Sequence, residues 1–346
     1  MSNLDNTTDL LNKRYGKRAI VKASDLKAES IDRISTGSLS LDIELGGGLP
    51  CGRIVEIFGR EGSGKTTIAL KTVVEAQKRG KKCVWIDQEG AIDLNWAKTL
   101  GVDLDKLLLA SPDNGEKGVD ILEAYVRTGE VGVIVLDSIE ALVPAADIET
   151  SAEDKERLGD RAKLCNRMAR KLQAALNVKV GEGELLNDCI VILINQIREK
   201  IGVMYGSPET TPGGLGIKFY SSVRINLRAG EWLEDSASNK VGHEIKFKIK
   251  KNRTAPPMRT GAFTIYFDGE RKGQIDRALE ILNYSVLKGL IKLKGRTYNL
   301  YGKKVVGKGA LLKYISEDDK IRAKLEKDIN KVYLLGEFLN ENSSSK

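Results

Sequence analysis

Four apolar residues, Ile54, Val55, Ile57 and Phe58, form a short run broken only by Glu56. A run of this length with turn residues beyond it predicts a strand buried on both faces. Helical spacing follows at Ala69, Leu70, Val73 and Val74, and Gly80 supplies a stop. The pairing then repeats: Cys83–Asp87, Leu107–Leu109, Val131–Asp137 and Asp188–Asn195 read as strands, and Ile121–Val126 lies in a helix. Strands alternating with helices predict an α/β fold with a mainly parallel central sheet covered on both faces. Ligands of such sheets bind beyond the carboxyl ends of the strands.

The flanking regions have a different pattern. Residues 1–33 are polar, with a short helical spacing at Leu10, Leu11 and Tyr15 and a basic stretch of Lys13, Arg14, Lys17 and Arg18. They read as a small appendage, and docking on a neighbouring subunit or a solvated tail both fit. Val241–Arg253 reads as a strand with Ile245, Phe247 and Ile249 on one face and Lys246, Lys248 and Lys250 on the other. Lys251 and Arg253 are expected to emerge on the apolar side as it ends. From about Asp268 the character changes again. Ile275, Leu279 and Leu282 predict a helix stopped by Gly289, residues 298–309 a hairpin, and Ala310–Leu325 a further helix. The expected division is therefore an appendage (1–33), a core (34–268), a small α+β C-terminal domain (269–335) and a tail (336–346).

Chemistry enters at the loop after the first buried strand. Gly59, Gly64, Lys65 and Thr66 match G-x-x-x-x-G-K-[ST], the phosphate-binding P-loop. Its glycines turn backbone N–H groups inward as a nest for an anion, and the following helix points its positive end at the same place. Lys65 reaches the outer phosphates and the Thr66 hydroxyl ligates Mg2+. Asp137 closes the apolar run Val133–Leu136 and is the second expected Mg2+ ligand. Glu89, just beyond the Cys83–Asp87 strand, is the expected general base that takes a proton from the attacking water. A surface acid is the plainer reading of Glu89, and its place at a strand end favours the base.

Composition narrows the class. The chain has 346 residues, which suggests about two domains, and 41% hydrophobic content, enough for a sizeable core. A net charge of +8 favours a polyanionic partner. Cys51, Cys83, Cys165 and Cys189 are scattered and His243 is the one histidine, which argues against a zinc site or a Cys/His catalytic pair. No apolar run approaches membrane-spanning length and the N-terminus lacks a signal-peptide core, so a cytoplasmic protein with no membrane partner is expected.

Taken together, ISTGSLSLDIELGGGLPCGRIVEIFGREGSGKTT, WIDQEGAID, VIVLDS, NQIREKIGVMYGSPETTPGG and KFYSSVR closely resemble the bacterial-type RecA recombinases, in the same order over roughly residues 30–315. The NQIR to PETT-GG stretch is far more specific than the P-loop, which many unrelated NTPases share. The resemblance implies a RecA-like core and a DNA-dependent ATPase that forms filaments on single-stranded DNA, pairs it with homologous duplex and exchanges strands. It implies that Gly59, Arg60, Glu61, Gly62, Ser63, Gly64, Lys65, Thr66 and Thr67 cradle ATP. Asp93 and Trp96 fall where the family recognises adenine, with Trp96 in place of the usual Tyr. Gln196 would sense the γ-phosphate and couple it to DNA.

Two loops, about Glu149–Lys163 and Gln196–Leu215, would line the filament axis. Lys163, Arg170, Lys171, Arg198, Gly202, Met204, Tyr205, Gly206, Thr210, Thr211, Gly213 and Gly214 are the implied DNA contacts. Backbone approach, charge and base wedging without base-edge readout give sequence-independent binding. Lys251 and Arg253 would reach the neighbour's ATP, like arginine fingers, and Lys218 and Phe219 would sit at the subunit contact. The family usually has Lys where Arg253 stands; Arg keeps the charge and adds a fork. The basic C-terminal residues Lys288, Lys292, Lys294, Arg296, Lys303 and Lys304 would capture duplex DNA, a solvated face being the plainer reading. Promotion of a repressor's self-cleavage and contact with recombination mediators are added roles the resemblance carries. The first DNA loop is diverged and the tail lacks an acidic run, so a phage-encoded relative fits as well as a housekeeping one. A hexameric DNA helicase or motor on the same core is the rival reading.

Overall fold

The computed structural model describes residues 2–16, 19, 20, 22, 31–148, 159–177, 179, 180, 184, 185, 187–199 and 209–334. The chain opens with helix α1 (Asn3–Tyr15), capped by Ser2 and carrying no buried residue. A short ribbon of β1 (Arg33–Ile34) and β2 (Leu49–Pro50) brackets α2 (Leu39–Leu45). The core then alternates: β3 (Ile54–Gly59), α3 (Lys65–Lys78), β4 (Lys82–Asp87), α4 (Leu94–Leu100), β5 (Leu107–Ala110), α5 (Gly115–Thr128), β6 (Val131–Asp137). Next come α6 (Ala145–Ile148), α7 (Asp160–Leu176), the two-residue strands β7 (Lys179–Val180) and β8 (Glu184–Leu185), and β9 (Ile190–Gln196). A second small ribbon, β10 (Arg198–Glu199) with β11 (Glu209–Thr210), leads to α8 (Gly214–Tyr220).

Three long strands complete the sheet: β12 (Val223–Glu234), β13 (Lys240–Asn252) and β14 (Thr260–Tyr266). Its eight strands lie in the order β14-β13-β12-β3-β9-β6-β4-β5. From β12 to β5 every pairing is parallel, and β13 and β14 add antiparallel neighbours at one edge. The apolar runs read from the sequence fall on the central strands because these strands are covered on both faces. All six residues of β3 are buried, Glu56 among them. One face packs on α3, the other on α5 and α7. Parallel register aligns the carboxyl ends of β3, β9, β6 and β4 on one rim, with Gly59 opposite Gln196 and Asp87 opposite Asp137.

Lys251 and Arg253 do not emerge on the apolar side, as simple alternation along β13 predicts. Between Ile225 and Arg224 the β12–β13 register slips, pairing Ile225 with Ile249 but Arg224 with Lys251. The extra residue, Lys250, makes a β-bulge, and a bulge reverses the alternation beyond it. Lys251 and Arg253 therefore leave the strand on the polar side, that of Arg224, and Asn252 turns inward.

The C-terminal region contains α9 (Arg277–Leu287), a three-stranded sheet of β15 (Ile291–Lys294), β16 (Thr297–Leu300) and β17 (Lys303–Val306), then α10 (Lys308–Glu317) and α11 (Asp319–Leu334). The single helix expected over Ala310–Leu325 is two, because Asp318 turns extended and accepts hydrogen bonds from Lys320 and Ile321 N–H as a cap. The core of this region includes Leu39 and Ile43 of α2. The buried Glu280 carboxylate of α9 accepts from Ser38 Oγ (2.6 Å), Leu39 N (3.1 Å) and Ser40 N (3.0 Å), satisfying the start of α2. No helix among the described residues is long and apolar enough to cross a membrane.

Candidate nucleotide pocket and its flanking loops

The loop between β3 and α3 is built for an anion. Gly62 and Gly64 have φ of 68° and 83°, which side chains rarely adopt. A Cβ on Gly64 would stand 2.3 Å from Ile245 Cδ1 of β13, so any other residue there would also have to displace that methyl. Gly64 precedes α3 without a side-chain cap, leaving the first N–H groups of a 14-residue helix to a ligand. Ser63 Oγ is buried with no partner among the described residues. Lys65 Nζ donates to Arg60 O at 2.8 Å, curling over the loop. Burial holds the Lys65 ammonium below its ordinary pKa, against the pull of Asp137, Glu89 and Glu61. An incoming polyphosphate would relieve that penalty.

Across the rim, Thr66 Oγ1 donates to Asp137 Oδ2 at 3.1 Å. Burial, reinforced by Glu89 and Asp87, pushes the Asp137 carboxyl up to about 7, while Thr66 and Lys65 draw it down. This cluster of acids with too little countercharge is what a divalent cation would correct. Hydroxyl and carboxylate oxygens are the hard donors Mg2+ takes, with phosphate oxygens and water to complete its shell.

Glu89 stands beside this pair. The Asp87 carboxylate accepts from the N–H groups of Gly90 (2.8 Å), Ala91 (3.2 Å) and Ile92 (3.1 Å), shaping the turn that carries Glu89. Ser138 Oγ donates to Glu89 Oε1. Sequence reasoning misses Ser138, though it is the first residue after the Asp137 strand end. On the other side, Asp93 caps α4, accepting from Asn95 and Trp96 N–H, and Trp96 Nε1 donates to Thr67 Oγ1 at 3.4 Å. Trp96 packs partly on the core, with its indole edge at the first turn of α3.

Gln196 ends β9 beside Gly59, its N–H held by Asn195 Oδ1 at 3.0 Å. Beyond it, β10 and β11 form the two sides of the second loop. Arg60 of the P-loop pairs with Glu199 at 2.6 Å, and Arg198 with Glu140 at 2.7 Å; Arg161, at the start of α7, also reaches Glu140 at 3.3 Å. Gly202, Met204, Tyr205 and Gly206 lie outside the described residues, as does most of the first loop. Lys163 and Arg170 are exposed on α7, Lys163 pairing with Asp160. Lys171 is drawn instead to α5, 2.7 Å from Glu123 and 3.3 Å from Asp120. The loop's far end is tied down: Lys218 Nζ donates to Thr210 Oγ1 at 2.9 Å, and Arg224 Nη2 to Thr211 Oγ1 at 3.3 Å. Gly213 and Gly214 have φ of 86° and 76°, and Gly214 begins α8 against α7.

Lys251 and Arg253 do not meet their own protomer's P-loop. Lys251 Nζ donates to Lys218 O and Phe219 O, both at 2.8 Å, and Arg253 Nη2 to Phe219 O at 3.0 Å. They gather at the carboxyl end of α8. There Phe219 is 64% exposed, and Leu215, one turn earlier on the same face, is 65% exposed. Two large apolar side chains thus lie side by side in solvent at this edge. Burial, with Arg253 and Arg224 close by, lowers the Lys251 pKa to about 8.

A family model described as the RecA N-terminal domain matches residues 2–271. The curated "Protein RecA" of Mannheimia haemolytica is 45% identical over 326 residues, covering 94% of this chain and 85% of that relative. The "Protein RecA" of Haemophilus ducreyi is 43% identical over 327 residues, covering 94% and 84%.

Proposed function

The chain belongs to the RecA family of recombinases, DNA-dependent ATPases of recombination, repair and the SOS response, and from that premise we propose that its ATP lies between neighbouring protomers of a filament on single-stranded DNA. One protomer holds the triphosphate on Gly59–Thr67, with Thr66 and Asp137 holding Mg2+; when bound, the cation neutralises phosphate charge. Glu89 takes the proton of the attacking water. The next protomer supplies Lys251 and Arg253. Filament formation brings single-stranded DNA against the two loops, and duplex DNA is paired and exchanged there.

The observation that carries this reading is the placement of Lys251 and Arg253 with exposed Phe219 at an edge away from their own P-loop. In that position they can face a neighbour's nucleotide rather than their own. Helix α1 is compatible with it, since Leu4, Leu10 and Tyr15 are 75%, 65% and 65% exposed and available to a neighbouring surface. The helicase alternative is not favoured by a family match that runs through the second loop. The test is strand exchange between homologous DNAs, with electron microscopy on single-stranded DNA and a non-hydrolysable ATP analogue. Exchange with helical filaments is expected; closed rings without exchange would overturn the reading.

Two further outcomes are expected. Lys251→Ala with Arg253→Ala retains the fold but loses DNA-stimulated ATP hydrolysis by about 10³-fold, the scale of a trans cation; steady-state rates with and without single-stranded DNA check this, and normal stimulation would contradict the trans role. The second concerns pH. The folded pKa of Lys251 is depressed, so its charge is present below about 8 and lost as pH rises through it. The DNA-stimulated kcat/KM falls on that alkaline limb. Lys251→Arg keeps its charge and flattens it, and an unchanged limb would remove Lys251 as its source.

A further inference from the structure

Glu56 is the one charge inside the buried strand that leads to the P-loop, and nothing in the function above uses it. Its side chain is fully buried. An ionised carboxylate in such a place is retained only when hydrogen-bonded and paired. Here its two oxygens are divided between two partners. Oε1 accepts from Asn195 Nδ2 at 2.9 Å, and Oε2 accepts from Arg224 Nε. Arg224 also lies over the Phe58 ring, 4.8 Å from its centroid.

Each partner continues outward to the second loop. Asn195 Oδ1 holds the N–H of Gln196, and its Nδ2 also donates to Pro212 O at 3.1 Å. Arg224 Nη2 reaches Thr211 Oγ1. The near end of the loop, at Gln196, and its far end, at Thr211 and Pro212, thus hang on one carboxylate. That carboxylate belongs to β3, the strand that ends at Gly59, where the P-loop begins.

We infer that Glu56 is a positioning residue for the coupling of DNA to ATP hydrolysis: through Asn195 and Arg224 it sets both ends of the second loop against the strand that carries the P-loop. The inference rests on the reading above that this loop meets DNA and that Gln196 faces the γ-phosphate. Thr211 and Pro212 cannot shift without loosening Asn195 or Arg224, and Asn195 cannot shift without moving Gln196. A displacement at the loop therefore reaches the nucleotide through a contiguous hydrogen-bonded chain.

The chemistry of the two contacts selects the variants. At both, the partner is the donor, so both oxygens of residue 56 must accept. Glu56→Gln has a single acceptor oxygen, and its NH2 would face a donor. Arg224→Lys keeps the charge beside Glu56 but loses the fork that serves Glu56 and Thr211 together. In the full-length chain, each variant is expected to keep its KM for ATP within about twofold, while the single-stranded-DNA-stimulated kcat falls about tenfold, within the range of coupling mutations. The double variant is expected to be no worse than the more damaged single one, because both break one unit. If Glu56→Gln does not fold, Arg224→Lys decides. Folded variants with normal stimulation, or losses that simply multiply in the double variant, overturn the inference while the function stands. A wild-type chain that single-stranded DNA does not stimulate overturns the function and this inference with it.

Discussion

Lys65→Ala is expected to abolish nucleotide-dependent binding to single-stranded DNA. Lys65 is the cation of the P-loop, and its ammonium curls back on Arg60 O while burial depresses its pKa. Its charge is thus poorly solvated until phosphate arrives, and removing it takes away a charge-assisted contact in a shielded site. A loss of about 3 kcal/mol, or roughly 10²-fold in nucleotide affinity, is the scale for one such contact. The nucleotide-free protein should melt no lower than the wild type, since the side chain lost is a desolvated charge. Fluorescence anisotropy of labelled single-stranded DNA, with and without an ATP analogue, is the measurement. Unchanged nucleotide-dependent affinity would refute the assignment of the P-loop.

Glu89→Gln is expected to separate binding from hydrolysis. Gln keeps the shape and can still accept from Ser138 Oγ, so the turn built by Asp87 survives. What is lost is the ability to take a proton, which costs about 10²–10⁴ in rate. ATP should still bind, turnover should nearly stop, and filaments on single-stranded DNA should outlast those of the wild type. Removing the Glu89 charge also removes one of the causes that hold the Asp137 carboxyl near 7, so Asp137 ionises at lower pH. Single-turnover hydrolysis together with nucleotide binding checks the pair of effects, and wild-type turnover would exclude Glu89 as the base.

The parts of the site that lie close in sequence are legible in it. The β3–loop–α3 unit follows from an apolar run, glycines and helical spacing within some twenty residues, and strand ends put Asp137, Glu89 and Gln196 on a common rim. Features that depend on distant partners are not legible. Arg224 meets Glu56 across 168 positions, and Lys171 meets Asp120 across 51. A carboxylate in a strand run reads as an interruption until its partner is seen. The Lys250 bulge is hidden for another reason: alternation of side chains assumes an unbroken ladder, and one inserted residue reverses every later position. The break at Asp318 is a cap in disguise, since Asp followed by Asp and Lys also reads as helix surface.

The Glu280 contact with α2 bears on how the chain can be divided. A fragment trimmed at residue 271, where the family model ends, keeps the whole sheet and its nucleotide rim. It also strips the carboxylate from Ser38, Leu39 and Ser40 and uncovers Leu39 and Ile43. The cut would leave exposed apolar residues and the Leu39 and Ser40 N–H groups without their carboxylate on the ATP-binding half, so solubility is lost at the seam although every catalytic group remains.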